Sequence, residues 1–348
     1  MTTDERYMAR CLSLARCGAV GAAPNPMVGA VIVWRDQIIG EGFHRRCGEA
    51  HAEVNAFASC HHPELLPEST LYVSLEPCAH VGRTPPCAEL IIRKGVMRVV
   101  VGCVDSFEKV QGRGIAMLRE AGIEVTVGIL ENECLALNRK FFTCHRLKRP
   151  YILLKWAQSA DGFMAPAEQP ASPVFISTPE TLIRVHHLRA ANAAILVGTQ
   201  TAFLDNPSLT LRYWSGQNPL RVVLDRTGKL PGTLRVFDGA VPTLVVGETD
   251  PSERAAKGTY DFLEVADWNA LLPVLFTELT RRDVQSLLVE GGRKVLQSFI
   301  DEDCWDEAHV EVGTQTFGDG LMAPCLPSCV TSGSVESLFN HTVFHYFR

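Results

Sequence analysis

No stretch of this 348-residue chain stays apolar over the roughly 20 residues that a membrane-crossing helix needs, which removes a membrane-spanning reading. Positive charge is in deficit: 33 Lys and Arg stand against 39 Asp and Glu, for a net charge of −6. No broad field draws nucleic acid to such a chain, and no stripe of arginines among aromatics offers bases a stacking surface. An anionic ligand must instead be met by a few local Arg or Lys side chains. A Gly-x-Gly-x-x-Gly turn is absent, which disfavours a Rossmann dinucleotide domain. So are internal repeats and low-complexity segments. The opening residues, Met1-Thr2-Thr3-Asp4-Glu5-Arg6, lack the basic stretch and apolar run of a secretory signal. The twelve cysteines are scattered, so reduced thiols in a cytoplasmic compartment are expected. The rest is ordinary for a soluble globular protein, 46% hydrophobic and 21% charged, and long enough for two domains with a core each.

Against that background the stretch from His51 to Cys87 stands out. It reads His51-Ala52-Glu53, then Pro77-Cys78, then Cys87. A zinc-dependent deaminase needs three His or Cys ligands, an open fourth position for water, and a nearby carboxylate that is not a ligand. His51, Cys78 and Cys87 fit the ligand set, and Glu53 fits the proton shuttle. An isolated His-Ala-Glu triplet is common, and buried cysteines often serve as apolar fillers. The combination, with Pro before the first Cys and each group at an expected helix start, weighs against that. The usual spacing of such sites is Pro-Cys-x-x-Cys, whereas eight residues separate the cysteines here. His80, inside that insert, leaves open a fourth-ligand role that would close the site into a structural zinc.

The hydrophobic pattern predicts alternating elements around this stretch. A helix runs from a cap at Thr3 or Asp4 to about Cys17. A Gly/Pro loop over 19–27 follows, delivering Asn25 ahead of a strand over 28–34. A second strand over 37–43 makes a hairpin that ends at His44. Helices are expected over 51–60, 88–94 and 112–121, and strands over 70–75, 96–102 and 124–127. This is the pattern of a three-layer α/β domain. A connecting helix over 131–146 leads to a boundary at Lys148-Arg149-Pro150, and the pattern then restarts. Strands are expected over 151–155, 193–198, 220–225, 242–246 and 286–289, the last being the final clear parallel-type strand. Helices are expected over 178–189, with Thr178 as cap and Pro179 in its first turn, and over 293–299. From Val310 onward the chain reads as an antiparallel edge. Glu290-Gly291-Gly292, between strand and helix, is a place where backbone N–H groups can face a phosphate, although Gly pairs also serve there for steric reasons alone.

Asn25-Pro26-Met27-Val28-Gly29, His44, Gly48-Glu49-Ala50-His51-Ala52-Glu53 and Glu76-Pro77-Cys78-Ala79-His80-Val81-Gly82-Arg83-Thr84-Pro85-Pro86-Cys87 closely resemble the bifunctional deaminase/reductase family of riboflavin biosynthesis. In that family the long insert between the cysteines is the usual form. The resemblance implies a zinc-dependent, cytidine-deaminase-like domain over 1–147. Its substrate would be 2,5-diamino-6-(5-phosphoribosylamino)pyrimidin-4(3H)-one, met by Asn25, His44, His80 and Arg83.

The resemblance continues through Lys155-Trp156-Ala157-Gln158-Ser159-Ala160-Asp161-Gly162, Leu188-Arg189, Gly198-Thr199-Gln200-Thr201, Leu204-Asp205-Asn206-Pro207-Ser208-Leu209-Thr210-Leu211-Arg212 and Val289-Glu290-Gly291-Gly292. It implies a dihydrofolate-reductase-like α/β domain over 148–348 that uses NADPH to turn the ribosyl group into a ribityl chain. Gln158, Phe175, Thr201, Asp205 and the helix start Gly292, Arg293, Lys294, Val295, Leu296, Gln297 and Ser298 would lie along the cofactor. Arg189, Leu209, Arg212 and Glu290 would hold the substrate, the two arginines against its phosphate. Three positions depart from the family pattern: Phe163 replaces a basic residue, Pro173 a Ser and Phe175 a Trp. The family also implies one zinc per chain, a small-molecule substrate and a homo-oligomer. Two rivals remain at this point: a deaminase whose second half no longer reduces, and a non-catalytic zinc-stabilised nucleotide-binding module.

Overall fold

The computed structural model describes residues 1–79, 85–105, 111–168, 174–251 and 259–348. The chain forms two compact units, Met1–Lys148 and Arg149–Arg348.

In the first unit, helix α1 (Thr3–Arg16) begins at a capping box between Thr2 and Glu5, one residue ahead of the expected cap. The hairpin β1 (Gly29–Trp34) and β2 (Gln37–Phe43) is followed by α2 (Ala52–Ala58), β3 (Thr70–Leu75), α3 (Cys87–Lys94), β4 (Arg98–Cys103), α4 (Arg113–Glu120) and β5 (Glu124–Val127). The strands form one sheet in the order β2-β1-β3-β4-β5, antiparallel at β1 and parallel from β3 to β5. Successive residues of a strand face opposite sides, and the central strands bury both. Ala30, Ile32, Leu71 and Val99 pack under α2, α3 and α4. Val31, Val33, Tyr72 and Val100 pack on the other face with α1, Cys134 and Phe142. The result is the expected three-layer domain.

The connecting helix is broken in two, α5 (Glu131–Leu137) and α6 (Arg139–Leu147), at Asn138. That side chain accepts from Met27 N at 2.8 Å and donates to Met27 O at 2.9 Å. An Asn amide that can bond backbone competes with helix continuation, and here it ties the Gly/Pro loop in place.

The second unit is built on β6 (Tyr151–Gln158), β7 (Phe163–Pro166), α7 (Pro179–Ala190), β8 (Ala194–Gly198), α8 (Thr199–Asp205), β9 (Leu220–Leu224), β10 (Thr243–Gly247), β11 (Asp261–Glu264), α9 (Leu271–Arg281), β12 (Ser286–Val289), α10 (Arg293–Asp301), β13 (Glu307–Val312), β14 (Gly320–Met322), β15 (Ser332–Leu338) and β16 (His341–Phe347). One nine-stranded sheet has the order β11-β10-β9-β8-β12-β6-β13-β16-β15, while β7 and β14 form a separate ribbon. Strands β11 to β13 of that order pair in parallel; β16 and β15 add an antiparallel edge. The edge is as expected, but 286–289 is not the last parallel strand, because β13 also pairs parallel with β6. Its Glu307, His309 and Glu311 are buried polar residues; Tyr151 bonds Glu307, His345 meets His309 Nε2 and His341 meets Glu311. That alternation resembles a half-exposed strand in the sequence.

Candidate active sites

His51 is the N-cap of α2 but makes no side-chain bond to the helix, which leaves its ring for the two cysteines. Its Nδ1 lies 3.3 Å from Cys87 Sγ and 3.6 Å from Cys78 Sγ. All three donor atoms fall within 4.8 Å of one another. Zinc–sulfur bonds of about 2.3 Å and zinc–nitrogen bonds of about 2.0–2.1 Å at tetrahedral angles put sulfur and nitrogen about 3.5 Å apart. The donor set therefore fits a tetrahedral zinc with one position left over. Cys87 opens α3 and its backbone N–H reaches Cys78 Sγ at 3.4 Å. The hydrogen bond from the Cys87 thiol pulls Cys78 down to about 4, against the effect of burial. Cys87, the partner that keeps the proton, is pushed up. Glu53, in the first turn of α2, is 3% exposed, and its burial raises its pKa.

Two supports around this cluster have no role assigned from the sequence. Glu76, one residue ahead of Pro77-Cys78, is a buried carboxylate. It accepts four backbone N–H groups, from Asp105 at 3.2 Å, Gly112 at 2.9 Å, Gly114 at 3.0 Å and Ile115 at 3.3 Å. The start of α4 is thereby held against the loop that presents Cys78, so closely that a Cβ on Gly114 would lie 1.9 Å from Pro77 O. An acidic residue before Pro-Cys together with the downstream Gly112-Arg113-Gly114 is the only hint of this in the sequence. Asn55 donates to Phe43 O and Ala50 O at 2.8 and 3.2 Å, bracing the turns on either side of His44 and His51.

Asn25 and His44 come together at the same place. Asn25 Nδ2 is 3.1 Å from His44 Nε2, and His44 Nδ1 is 3.1 Å from Ala50 O. The carbonyl requires the proton on Nδ1, so Nε2 accepts from the Asn25 amide. Burial lowers the His44 pKa and keeps this neutral form. The His44 and His51 rings meet edge to face with centroids 5.4 Å apart. His80 and Arg83 lie outside the described residues.

In the second unit the candidate residues collect at the C-terminal ends of adjacent parallel strands, where α/β sheets hold ligands. Gln158 ends β6, Thr201 lies on the helix that follows β8, and Glu290 follows β12. The turns after β8 and β12 touch. A Cβ on Gly291 would lie 2.7 Å from Val197 Cα, and one on Gly198 would lie 2.7 Å from Val295 Cγ2. Gly292 has φ +68° and stands over Thr201 as α10 begins. Arg293 and Lys294 are exposed there. Further along α10, Leu296 is fully buried in the core. The Gln297 amide is engaged with the backbone of Cys325, and the Ser298 hydroxyl bonds Val295 O at 2.8 Å. A resemblance carried over as a continuous block ignores the helical period, which sends every third or fourth residue inward. Gln158 accepts from Trp156 Nε1 at 2.8 Å, Asp205 ends α8 as an exposed side chain, and Phe175 is 77% exposed.

Of the expected substrate residues, Arg189 clamps Glu290 through two bonds of 2.9 and 2.6 Å and also reaches Thr210 O at 3.3 Å. Burial alone would raise the Glu290 pKa; the Arg189 charge overrides it and lowers it. Leu209 has φ +55° and is 2% exposed, with its side chain in the core, so only its backbone can meet a ligand. Arg212 is exposed, with its backbone N–H on His186 Nδ1 at 3.0 Å. Sequence reasoning passed over His186 and the fully buried Arg221. The Arg221 guanidinium bonds Thr243, Arg235 O, Asp238 and Val241 O.

The family described as cytidine and deoxycytidylate deaminase zinc-binding region matches residues 1–103. The family described as RibD C-terminal domain matches residues 150–328. The riboflavin biosynthesis protein RibD of Aquifex aeolicus (strain VF5) is 39% identical over 322 residues, which covers 91% of this chain and 89% of that protein. RibD of Escherichia coli (strain K12) is 35% identical over 337 residues, covering 92% and 90%. A crystal structure of a diaminohydroxyphosphoribosylaminopyrimidine deaminase/5-amino-6-(5-phosphoribosylamino)uracil reductase from Thermotoga maritima matches with a TM-score of 0.88 at 35% identity, covering 99% of this chain and 98% of that one. Acinetobacter baumannii RibD matches with a TM-score of 0.88 at 32% identity and the same coverage.

Proposed function

The chain belongs to the bifunctional deaminase/reductase family of riboflavin biosynthesis, and from that premise we propose how its residues share the two reactions. Residues 1–147 deaminate 2,5-diamino-6-(5-phosphoribosylamino)pyrimidin-4(3H)-one, and residues 148–348 reduce the ribosyl group of the product. The observation that carries the deaminase assignment is the meeting of the His51, Cys78 and Cys87 donor atoms within 4.8 Å of one another. Glu53 lies on the same helix start, and the Asn25–His44 pair stands alongside.

His51, Cys78 and Cys87 hold zinc, which when bound makes water a usable nucleophile near neutral pH. Glu53 would take one proton from the attacking water on a carboxylate oxygen and give it to the ring nitrogen, then carry the second, from the added hydroxyl, to the amino group that leaves as ammonia. Its burial favours this exchange by bringing its pKa up toward the working range. Asn25 and the neutral His44 orient the heterocycle edge, with His80 and Arg83 completing the substrate contacts. In the second unit NADPH, when bound, supplies the reducing equivalent. Gln158, Phe175, Thr201, Asp205 and the start of α10 at Gly292, Arg293, Lys294 and Val295 hold it. Arg189, Arg212, Glu290 and the Leu209 backbone hold the substrate. The exposed Arg212 fork suits the 5-phosphate oxygens, and Arg189, whose fork holds Glu290, adds positive charge there. The enzyme is cytoplasmic and forms a homo-oligomer. Among the described residues no helix is long and apolar enough to cross a membrane.

The test is to supply the diaminopyrimidinone with and without NADPH and identify products by mass. Deamination alone is expected without NADPH, and deamination plus reduction with it. Deamination in both arms with no reduction would restore the rival of a deaminase with a degenerate second half.

A further inference from the structure

The last two turns of α7 hold the segment 210–213 at two points. Arg189 Nη1 donates to Thr210 O at 3.3 Å, and His186, one turn earlier on the same helix, accepts the backbone N–H of Arg212 on Nδ1 at 3.0 Å. His186 is 1% exposed, and its ring also meets the Tyr213 ring edge to face, with centroids 4.9 Å apart. The segment leaves the core at Leu209, whose positive φ turns the chain outward, and is braced again where Leu211 N donates to Asn218 Oδ1 at 2.8 Å. A long, exposed Arg side chain has many positions open to it. The Arg212 guanidinium lies over the Tyr213 ring, 5.8 Å from its centroid, and the Arg212 backbone N–H is held by the imidazole lone pair of His186.

We propose that His186 is a positioning residue for the reductase substrate: its Nδ1 anchors the Arg212 backbone and so sets where the Arg212 guanidinium meets the 5-phosphate. This rests on Arg212 being a phosphate ligand, as proposed above. The anchor needs His186 neutral and unprotonated at Nδ1, because a proton there would set N–H against N–H. Burial first, then the charges of Arg189 and Arg212, lower the His186 pKa to about 4, which preserves the acceptor. A neutral imidazole also costs less than a third cation would beside two arginines.

The experiment compares His186→Leu, His186→Asn, Arg212→Ala and the double variant Arg212→Ala/His186→Leu. Each is assayed for KM with 5-amino-6-(5-phosphoribosylamino)uracil, KM for NADPH and deamination rate. Losing the acceptor releases the part-buried Arg212 N–H and the backbone it fixes, so His186→Leu is expected to raise the KM for the phosphorylated substrate about tenfold. The KM for NADPH and the deamination rate should hold. Asn places a carbonyl oxygen where Nδ1 stood and should recover the KM to within about threefold. The double variant should be no worse than Arg212→Ala, because one contact is lost by either route. The inference falls if Asn is as impaired as Leu, if the two losses add, or if His186→Leu leaves the KM unchanged while Arg212→Ala raises it. If Arg212→Ala itself leaves the KM unchanged, the phosphate assignment falls and takes the anchor with it. Should His186→Leu not fold, the imidazole 15N shifts of the unaltered protein decide. The proton must be on Nε2, and a proton on Nδ1 overturns the inference.

Discussion

Between themselves Cys78 and Cys87 shift in opposite directions, the acceptor down and the donor up, whereas zinc takes both as thiolates. Glu53 is the third group at this point, close to the ligands but kept for protons. The distinction is testable by paired substitutions. Cys87→Ser is expected to lose both zinc and deamination, whereas Glu53→Gln should keep zinc and lose roughly 10²–10⁴-fold in deamination rate. Metal analysis alongside product mass checks both. Full zinc and full deamination in Cys87→Ser would remove it from the ligand set. This part of the molecule was legible in the sequence, because zinc chemistry permits few residue types at few spacings. Glu76 and Asn55 were not legible: their work is to accept or donate backbone bonds across long sequence separations, and any polar residue could announce it.

Elements were legible where one periodicity dominated. Strands 70–75, 124–127 and 286–289 match β3, β5 and β12 to the residue, since apolar β-branched runs bounded by polar turns admit one reading. Where tertiary pairing decided, the reading failed. β13 looks half-polar because its charged side chains find partners inside, including the Glu307–His309–His345 chain that Arg184 joins from α7. The break at Asn138 likewise depends on Met27, 111 residues away. Removing that amide unsatisfies two backbone groups, so Asn138→Ala is expected to cost about 2–4 kcal/mol of first-unit stability. It should also raise the deaminase KM, since Asn25 is carried two residues before Met27. Denaturant unfolding and substrate titration measure the two effects. A second element-scale expectation concerns α7. The folded pKa of His186, about 4, lies below the ordinary 6.5. Its contribution to stability is therefore fully present above about 6.5 and is lost as pH falls from there toward 4, because the unfolded chain takes up the proton first. Thermal unfolding of the second unit followed from pH 7 to 4 should fall in that window. His186→Asn should flatten the fall, and an unchanged slope in that variant would assign the effect to other groups.

Each unit carries its own cores and its own site, so the whole molecule is two chemistries on one chain. In the first unit the site is assembled from α2, the loop after β3 and the start of α3, all upstream of residue 95. In the second the proposed site draws on the ends of β6, β8 and β12 and the 209–212 segment. These are the segments that the resemblance proposed. It could not say which residues of α10 face outward, because a matched block carries no information about helical phase. That separation has a consequence for the reaction order. Damage to one site should leave the other reaction intact, with the product pattern showing which. Glu53→Gln given the diaminopyrimidinone and NADPH should return nearly all of it unchanged, yet reduce 5-amino-6-(5-phosphoribosylamino)uracil at the unaltered rate. Arg189→Ala should do the reverse. It loses positive charge beside the phosphate and the fork that neutralises Glu290, a buried carboxylate whose stranding is costly. Reductase kcat/KM is expected to fall by roughly 100-fold or more, and the deaminated, unreduced compound should accumulate at the normal deamination rate. Product masses over time distinguish these patterns. A parallel loss of both reactions in either variant would mean that the two sites are coupled, and the division of labour between residues 1–147 and 148–348 would have to be abandoned.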